Sequence, residues 1–506
     1  MKRIIINLLW FILTPFLFAQ NENDSRINGL DTLITRIIEE WNVPGCAVTI
    51  VKKNEIIYKK GVGYIDLKTK MKVDENTIFP IASCTKSFTA ALIGILADEG
   101  KIDINKPANH YLPILRFSDP FLTMTVTPCD MMTHVTGIPR HDISWLGFEN
   151  APRDSLVQLI EFFQKSAGLR EKFIYNNYMY TALGAMAEHI ENGKTWEDQI
   201  KERFFIPLGM NSSSTSFEEL QKANNKAYPH DVTFQMEPIE IPFKNEDNMG
   251  PCGSINSNAN DIANWLITIL NGGEYRNKVI IPTEFYKQST TPQWRSTNIP
   301  SGKINYLGYG FGWNIAIYQG HYSVYHGGSV DGFGSLVLFL PNDNLGMAIF
   351  INSRGSSVPM IIANYITDKL LDLPYTDWSK NQLSDFINQQ KQYEIEFNSK
   401  CSSEFPPTHN LEDYCGEYLN PGYGKINIFQ EGDSLVGKYG SLNVWLKHHN
   451  YDGFKAILYS SRHTLGKIDV WNRPAVFIQN NNGEISKLTI LLERQVDPII
   501  FEKTNE

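Results

Sequence analysis

The stretch Phe79–Gly100, FPIASCTKSFTAALIGILADEG, constrains this chain more than any other. Phe88, Ala90, Ala91, Leu92, Ile93, Ile95, Leu96 and Ala97 leave a helix of this sequence without a polar face. A helix that is apolar all round is a buried one. Gly100, just past the last apolar residue, is a natural stop. The chain must therefore pack around a central helix, with Ser83 at its first turn and Lys86 three residues on. Residues three apart share a helix face, so the hydroxyl and the amine can meet. A serine hydroxyl is a weak nucleophile until a base takes its proton. Burial and the positive end of a helix macrodipole both disfavour an ammonium and favour a free amine able to be that base. The backbone N–H at Ser83 falls among the unpaired donors of the helix start, where it can help hold an oxyanion. By itself the pair also reads as a capping serine beside a solvated lysine, although no other Ser-x-x-Lys occurs in the chain.

At 506 residues the chain is too long for one ordinary core and calls for two or more domains. With 42% hydrophobic and 20% charged residues it is globular rather than disordered. A net charge of −9 argues against nucleic acid or an anionic membrane surface as the main partner. Lys2 and Arg3 precede an apolar run from Ile4 to Leu13, then Pro15 and Phe16-Leu17-Phe18-Ala19. This is the pattern of a signal peptide over residues 1–19, with an uncleaved anchor as the alternative, so the protein is expected to be exported, to the periplasm or beyond the cell, with no integral membrane span after signal removal. The six cysteines, Cys46, Cys84, Cys129, Cys252, Cys401 and Cys415, are dispersed and mostly inside apolar patterns. They read as buried thiols, with Cys401–Cys415 the one pair worth testing. No zinc-ligand spacing appears, and neither metal nor cofactor is expected.

Along the chain, Ile27–Trp41 reads as an amphipathic helix, followed by strands at Cys46–Lys52 and Glu55–Tyr64 joined by a Lys53-Asn54 turn. Residues 101–261 are helical and loop-rich. A helix at Asn258–Leu270 stops at Gly272-Gly273. Strands return at Gly312–Tyr318, Tyr322–His326, Gly334–Phe339 and Leu345–Asn352, and a helix spans Val358–Leu371. Strands at both ends with helices between suggest one sheet built from the two ends and an inserted helical lobe. Residues 375–410 turn polar and Gln-rich, a helix and a linker. Beyond them come eight short alternating runs: Lys425–Gln430, Ser434–Tyr439, Asn443–His448, Phe454–Leu458, Ile468–Trp471, Val476–Gln479, Leu488–Leu492 and Ile499–Glu502. These predict a small antiparallel barrel or sandwich over 411–506.

Two further motifs give the Ser–Lys pair possible partners. In Tyr175-Asn176-Asn177 the outer residues are two apart in an extended segment and point the same way. A tyrosine hydroxyl can relay protons beside a lysine, and an asparagine amide can bond a substrate's peptide group. Asn177 can equally cap the helix that follows. In His326-Gly327-Gly328-Ser329, at the end of a predicted strand, the glycines permit close backbone approach and the Ser329 N–H can be a second oxyanion donor. A hairpin turn with a chance histidine is the alternative.

Ser-x-x-Lys, Tyr-x-Asn and His-x-Gly in this order resemble the serine hydrolases of the class C β-lactamase and penicillin-binding D,D-peptidase type. The flanks Phe79–Ser83, Thr133–Arg140 and Asp261–Leu266 resemble that family too, and the likeness covers residues 24–374. The tail, with Tyr414-Cys415-Gly416-Glu417-Tyr418 and Val496–Phe501, resembles the lipocalin-like barrel found after some of these hydrolases. The resemblance implies an α/β (α+β) domain with an antiparallel sheet flanked by helices, and a second all-β barrel domain. It implies that Ser83 forms an acyl-enzyme with Lys86 as base, that Tyr175 passes a proton to the leaving group, and that Asn177, His326, Gly328 and Ser329 form the substrate site. β-Lactamases of this group usually open the third motif with lysine. His326 is the pattern of peptidase and esterase members and argues against efficient β-lactamase action. The expected substrate is a small peptide amide, with D-amino-acid or peptidoglycan character, or an ester. A carboxylesterase or transesterase, and a silent envelope protein binding peptidoglycan fragments, are the alternatives. The oligomeric state is left open.

Overall fold

The sheet of the first domain is assembled from both of its ends. The computed structural model describes residues 24–297, 302–353, 357–398, 405–460 and 471–504. The expected signal segment, Cys401 with its pairing, and Ile468–Val470 lie outside the described residues.

In chain order, helix α1 (Leu30–Glu40) leads to strands β1 (Gly45–Lys52) and β2 (Glu55–Gly63). Helix α2 (Thr85–Asp98) opens a helical region that contains α3 (Asn177–Ile190) and α4 (Ala259–Leu270). Six strands follow: β3 (Trp294–Arg295), β4 (Ile304–Tyr309), β5 (Asn314–Tyr318), β6 (His321–Val330), β7 (Phe333–Leu340) and β8 (Leu345–Ile351). Helices α5 (Val358–Leu370) and α6 (Trp378–Asn398) complete the domain. The sheet order is β2-β1-β8-β7-β6-β5-β4-β3, antiparallel throughout, with Cys46 opposite Ile351 where the two ends of the domain meet.

The central strands read as unbroken apolar runs because both sheet faces are covered. Cys46, Val48 and Ile50 join α1 and α5 in one core, whereas Ala47 and Val51 join α2 and α4 in the other. This is the period of two expected of a strand. Helix α2 lies in that second core as expected, with the Phe88 ring stacked 3.9 Å from the Trp265 ring of α4. It ends in a Schellman motif: Lys101 N–H donates to the Leu96 carbonyl and Gly100 N–H to Ala97, with Gly100 at φ 71°.

Parts of the first domain depart from the sequence pattern. Ser83 stands in a separate 3₁₀ turn, Ala82–Cys84, just before α2 rather than inside it. The strand expected to finish at His326 continues to Val330, so the third motif is strand rather than hairpin turn. No alternation announces strand β4, because a register shift between Tyr306 and Gly308 breaks its period. Gly308 is needed there: a Cβ would lie 2.0 Å from the Trp294 carbonyl oxygen.

The second domain is a closed barrel of β9 (Gly416–Asn420), β10 (Gly424–Glu431), β11 (Ser434–Tyr439), β12 (Leu442–Asn450), β13 (Gly453–Ser460), β14 (Trp471–Gln479), β15 (Ile485–Ile490) and β16 (Ile499–Lys503). Tyr418 opposite Lys503 closes it, which removes the sheet edges. The sequence pattern predicts eight strands, but not these eight. Val476–Gln479 is the end of the longer β14, and β9 is too short, with only Tyr418 fully buried, to show an alternation.

The barrel is seated on the first domain through residues 141–149. Ile143 and Leu146, on a short helix (Asp142–Leu146), belong to the barrel's own core. The Tyr439 hydroxyl donates to the Ile143 carbonyl at 3.0 Å. His141 donates from Nε2 to the Gln164 carbonyl at 2.9 Å and accepts at Nδ1 from the Tyr423 hydroxyl at 2.6 Å. Burial keeps this imidazole neutral, pulling its pKa down to about 4.

Candidate active site

The turn that carries Ser83 is fixed from three directions. Phe79 and Pro80 pair with Ser257 and Asn256, and Ile81 N–H donates to Ile255. The Ser335 hydroxyl of β7 donates to the Ile81 carbonyl at 2.6 Å. The Cys84 thiol donates to the His326 carbonyl of β6 at 3.1 Å. Ala82 sits at φ 46°, a left-handed conformation that alanine avoids without such support. Strand β6 approaches this turn so closely that a Cβ on Gly328 would meet Ser335 Oγ at 2.3 Å and the Ile81 carbonyl oxygen at 2.4 Å. The third motif needs its glycine for this approach.

Lys86 is fully buried in the first turn of α2. Its Nζ donates to Ser83 Oγ at 3.0 Å and to the Cys252 carbonyl at 2.7 Å. Among the described residues no carboxylate lies within ion-pair distance of it. Tyr175 stands over this amine, with Nζ 5.1 Å from the ring centroid. The Arg140 guanidinium also lies 5.1 Å from the centre of that ring. Both cations lie within reach of the ring's quadrupole.

Asn177 is the first residue of α3 but not its cap. That role belongs to Asn176, whose side chain accepts from Met179 N–H and donates to the Ile138 and Pro139 carbonyls. Asn177 Nδ2 donates to both oxygens of Asp142, at 3.1 and 3.2 Å. Asp142 in turn accepts from Arg140 Nε at 2.6 Å. A carboxylate only accepts, so it turns the amide with its NH₂ inward. The amide oxygen of Asn177, buried and without a partner among the described residues, is left as an acceptor for an N–H.

His326 is buried, with both ring nitrogens committed. Nδ1–H donates to the Gly327 carbonyl at 2.7 Å, and Nε2 accepts from the Tyr309 hydroxyl at 3.0 Å. Burial, with the nearby charge of Lys86, lowers its pKa to about 3, so the ring is neutral near pH 7. His134, from the run Thr133–Arg140, is also buried, packed on Tyr175 and Tyr309, and held neutral for the same reason. Ser329 lies further along β6, where β5 no longer pairs with it.

The structure therefore brings Ser83, Lys86, Tyr175, Asn177, His326, Gly328 and Ser329 to one place. Two cavities meet at Ser83, Arg140 and Ser329. One, of about 390 Å³, contains Asn177 and extends to Glu246, Lys244 and the barrel residues Ser441 and Leu442. The other, of about 450 Å³, contains Tyr175, His326, Gly328 and the start of α5. In the sequence, Arg140 and Asp142 fall in a motif-like run that by itself assigns them no role. Glu246 and the barrel residues carry no local signal at all. Among the described residues, no group of three or more His, Cys, Asp or Glu side chains could hold a metal ion.

A nucleophile–base pair ahead of a buried helix, beside a strand that approaches it through glycine, is the arrangement of a serine hydrolase of the β-lactamase and penicillin-binding type. Residues 30–371 match the Beta-lactamase family, and the chain belongs to it. Residues 402–503 match a domain of unknown function, DUF3471. The unguisins hydrolase ungD′ of Aspergillus campestris is 27% identical over 438 residues, 81% of this chain and 79% of that protein. Protein flp of Staphylococcus aureus is 25% identical over 374 residues, 72% of this chain and 71% of that one. Among solved structures, the octameric penicillin-binding protein homologue from Pyrococcus abyssi superposes with a TM-score of 0.60 at 23% identity, covering 94% of this chain and 100% of that chain. A D-stereospecific amidohydrolase from Streptomyces sp. gives 0.56 at 17% identity, covering 68% and 99%. These two share the fold. The relatives named as hydrolases agree with the site in making this chain a serine hydrolase.

Proposed function

We propose that this is an exported serine hydrolase that cleaves small peptide amides or esters through an acyl-enzyme on Ser83. The observation that carries the reading is the 3.0 Å contact of Ser83 Oγ with the buried amine of Lys86, which has no carboxylate partner among the described residues. As Oγ attacks the carbonyl carbon, its proton passes to Lys86 Nζ. The oxygen that becomes negative is held by the N–H groups of Ser83 and Ser329, each worth roughly 100- to 1000-fold in rate. The C–N or C–O bond then breaks, and Tyr175 gives its hydroxyl proton to the leaving group and regains one from the Lys86 ammonium. Water attacks the remaining ester, its proton passes through the same Lys86–Tyr175 pair to Ser83 Oγ as the C–Oγ bond breaks, and the acid is released. Asn177, held by Asp142, accepts a hydrogen bond from the acyl portion of the substrate. The neutral His326 gives the third motif no cation for a drug's carboxylate, in keeping with amide or ester substrates rather than efficient β-lactamase action. The apolar N-terminal run after Lys2 and Arg3 supports export.

The test is covalent labelling of the purified protein by a fluorescent penicillin and by a fluorophosphonate, with Ser83→Ala as control. An adduct on Ser83 that disappears in the variant is expected. Labelling by the fluorophosphonate alone favours the carboxylesterase. An intact protein that takes neither label is a binding protein, and the catalytic reading fails.

A further inference from the structure

The cavity shared with the barrel has a charge left over. Its acidic and basic side chains are mostly engaged. Arg140 is paired with Asp142 at 2.6 Å, Lys244 lies 4.0 Å from Asp331 and 4.3 Å from the centre of the Trp145 ring, and Glu149 accepts from Ser441 Oγ at 2.5 Å. Glu246 lines the same cavity and has neither a hydrogen bond nor an ion pair from its carboxyl group to any described residue. Burial raises its pKa to about 7, against the opposing field of Lys244. A half-buried carboxyl group left without a partner is costly when ionised, and the cost falls when a cation arrives.

The geometry also says which end of a substrate meets Glu246. Tyr175, the donor to the leaving group, lines the other cavity, whereas Asn177 and Glu246 share this one. The leaving group therefore occupies the Tyr175 side and the acyl group the Glu246 side. We infer that the barrel-side cavity is an ammonium site with Glu246 as its anion, and that the enzyme acts on acyl groups bearing a free amine, that is, on aminoacyl amides or esters. This rests on the roles given above to Ser83 and Tyr175 and deepens that reading by naming the acyl class.

Kinetics on paired substrates test it: alanine 4-nitroanilide, in D and L forms, against the N-acetylated compound, with the full chain and with Glu246→Gln and Glu246→Lys. The wild type is expected to favour the free amine by at least tenfold in kcat/KM in one of the two stereochemical forms. That ratio is expected to fall about tenfold in Glu246→Gln and to invert in Glu246→Lys, each variant first checked for a native melting transition. If the acetylated substrate is preferred by the wild type, or if neither variant moves the ratio, the ammonium site is wrong while hydrolysis stands. If no anilide is cleaved although the fluorophosphonate labels Ser83, the same pairs as 4-nitrophenyl esters decide by the same ratio. If Ser83 takes no label and no substrate is cleaved, the nucleophile reading fails and this inference with it.

Discussion

Asp142 shows how one carboxylate can decide what a neighbouring amide offers. It accepts from both Arg140 and Asn177, and so leaves the buried Asn177 oxygen without a partner among the described residues. An asparagine in place of this aspartate can donate as well as accept, so the neighbouring amide loses its reason to keep one orientation. Asp142→Asn is expected to lower kcat/KM on an amide substrate by about tenfold or more, in line with the roughly 1.5–3 kcal/mol of a hydrogen bond to a charged group. Steady-state kinetics check this, and undiminished kcat/KM would show that the amide's orientation does not depend on Asp142. At this scale the sequence is informative about chemistry and silent about who holds whom. Ser83, Lys86, Tyr175 and Asn177 are legible because short spacings place them on one turn or one extended segment. The pairing of Asn177 with Asp142, 35 positions away, and the bond from the Tyr309 hydroxyl to His326, 17 positions away, are tertiary facts, which no local spacing encodes.

The elements are legible where a period is clean. The apolar girth of α2, the unbroken apolar runs of β1, β7 and β8, and the split of the sheet between the two ends of the domain all follow from patterns in the chain. They are illegible where geometry departs from the period, as at the bulge in β4, or where polar and glycine residues hide a strand, as along His326–Ser329 in β6. That last stretch sets up a prediction about strand and turn together. The Gly328 Cα is close enough to the Ser83 turn that an added methyl group would overlap the Ile81 carbonyl and Ser335 Oγ, both of which are parts of the bond that fixes the turn. Overpacking of this kind costs about 1–3 kcal/mol. Gly328→Ala is expected to lower the melting temperature by several degrees and kcat/KM by more than tenfold, since β6 and Ser83 can no longer keep their spacing. Calorimetry and kinetics on the same preparation check both, and a variant with wild-type values would show that the close approach is not needed. Gly100, by contrast, has open space around it, and only its positive φ resists substitution.

At the scale of the whole molecule, the barrel is part of the site's architecture. Its residues Ser441 and Leu442 line the cavity beside Ser83, and its core encloses Ile143 and Leu146, next to Asp142. The sequence announces a barrel but not its seat, because the contact depends on surfaces separated by some 300 positions. The most telling contact is Glu493, whose Oε1 accepts from Ile143 N–H at 3.1 Å. Burial, with Asp142 adding to it, lifts this carboxyl group to about 7, although Ile143 N–H, Arg140 and Arg473 pull the other way. In the unfolded chain the same group titrates near its ordinary value of about 4.5. Between these two values the folded protein binds a proton that the unfolded chain does not. The group's contribution to stability is therefore fully present below about pH 4.5 and is lost as the pH rises through about 7. A glutamine at this position keeps the acceptor for Ile143 and never ionises. Glu493→Gln and wild type are expected to melt at similar temperatures near pH 5. Above pH 7 the wild type is expected to fall below the variant by a few degrees, because it must then either hold a buried charge or loosen the barrel from residues 141–149. Thermal melts of the two proteins from pH 5 to 8.5 check this. Parallel curves across that range would mean that Glu493 ionises as freely in the folded protein as in the unfolded chain, and that the seat of the barrel beside Asp142 is open to water.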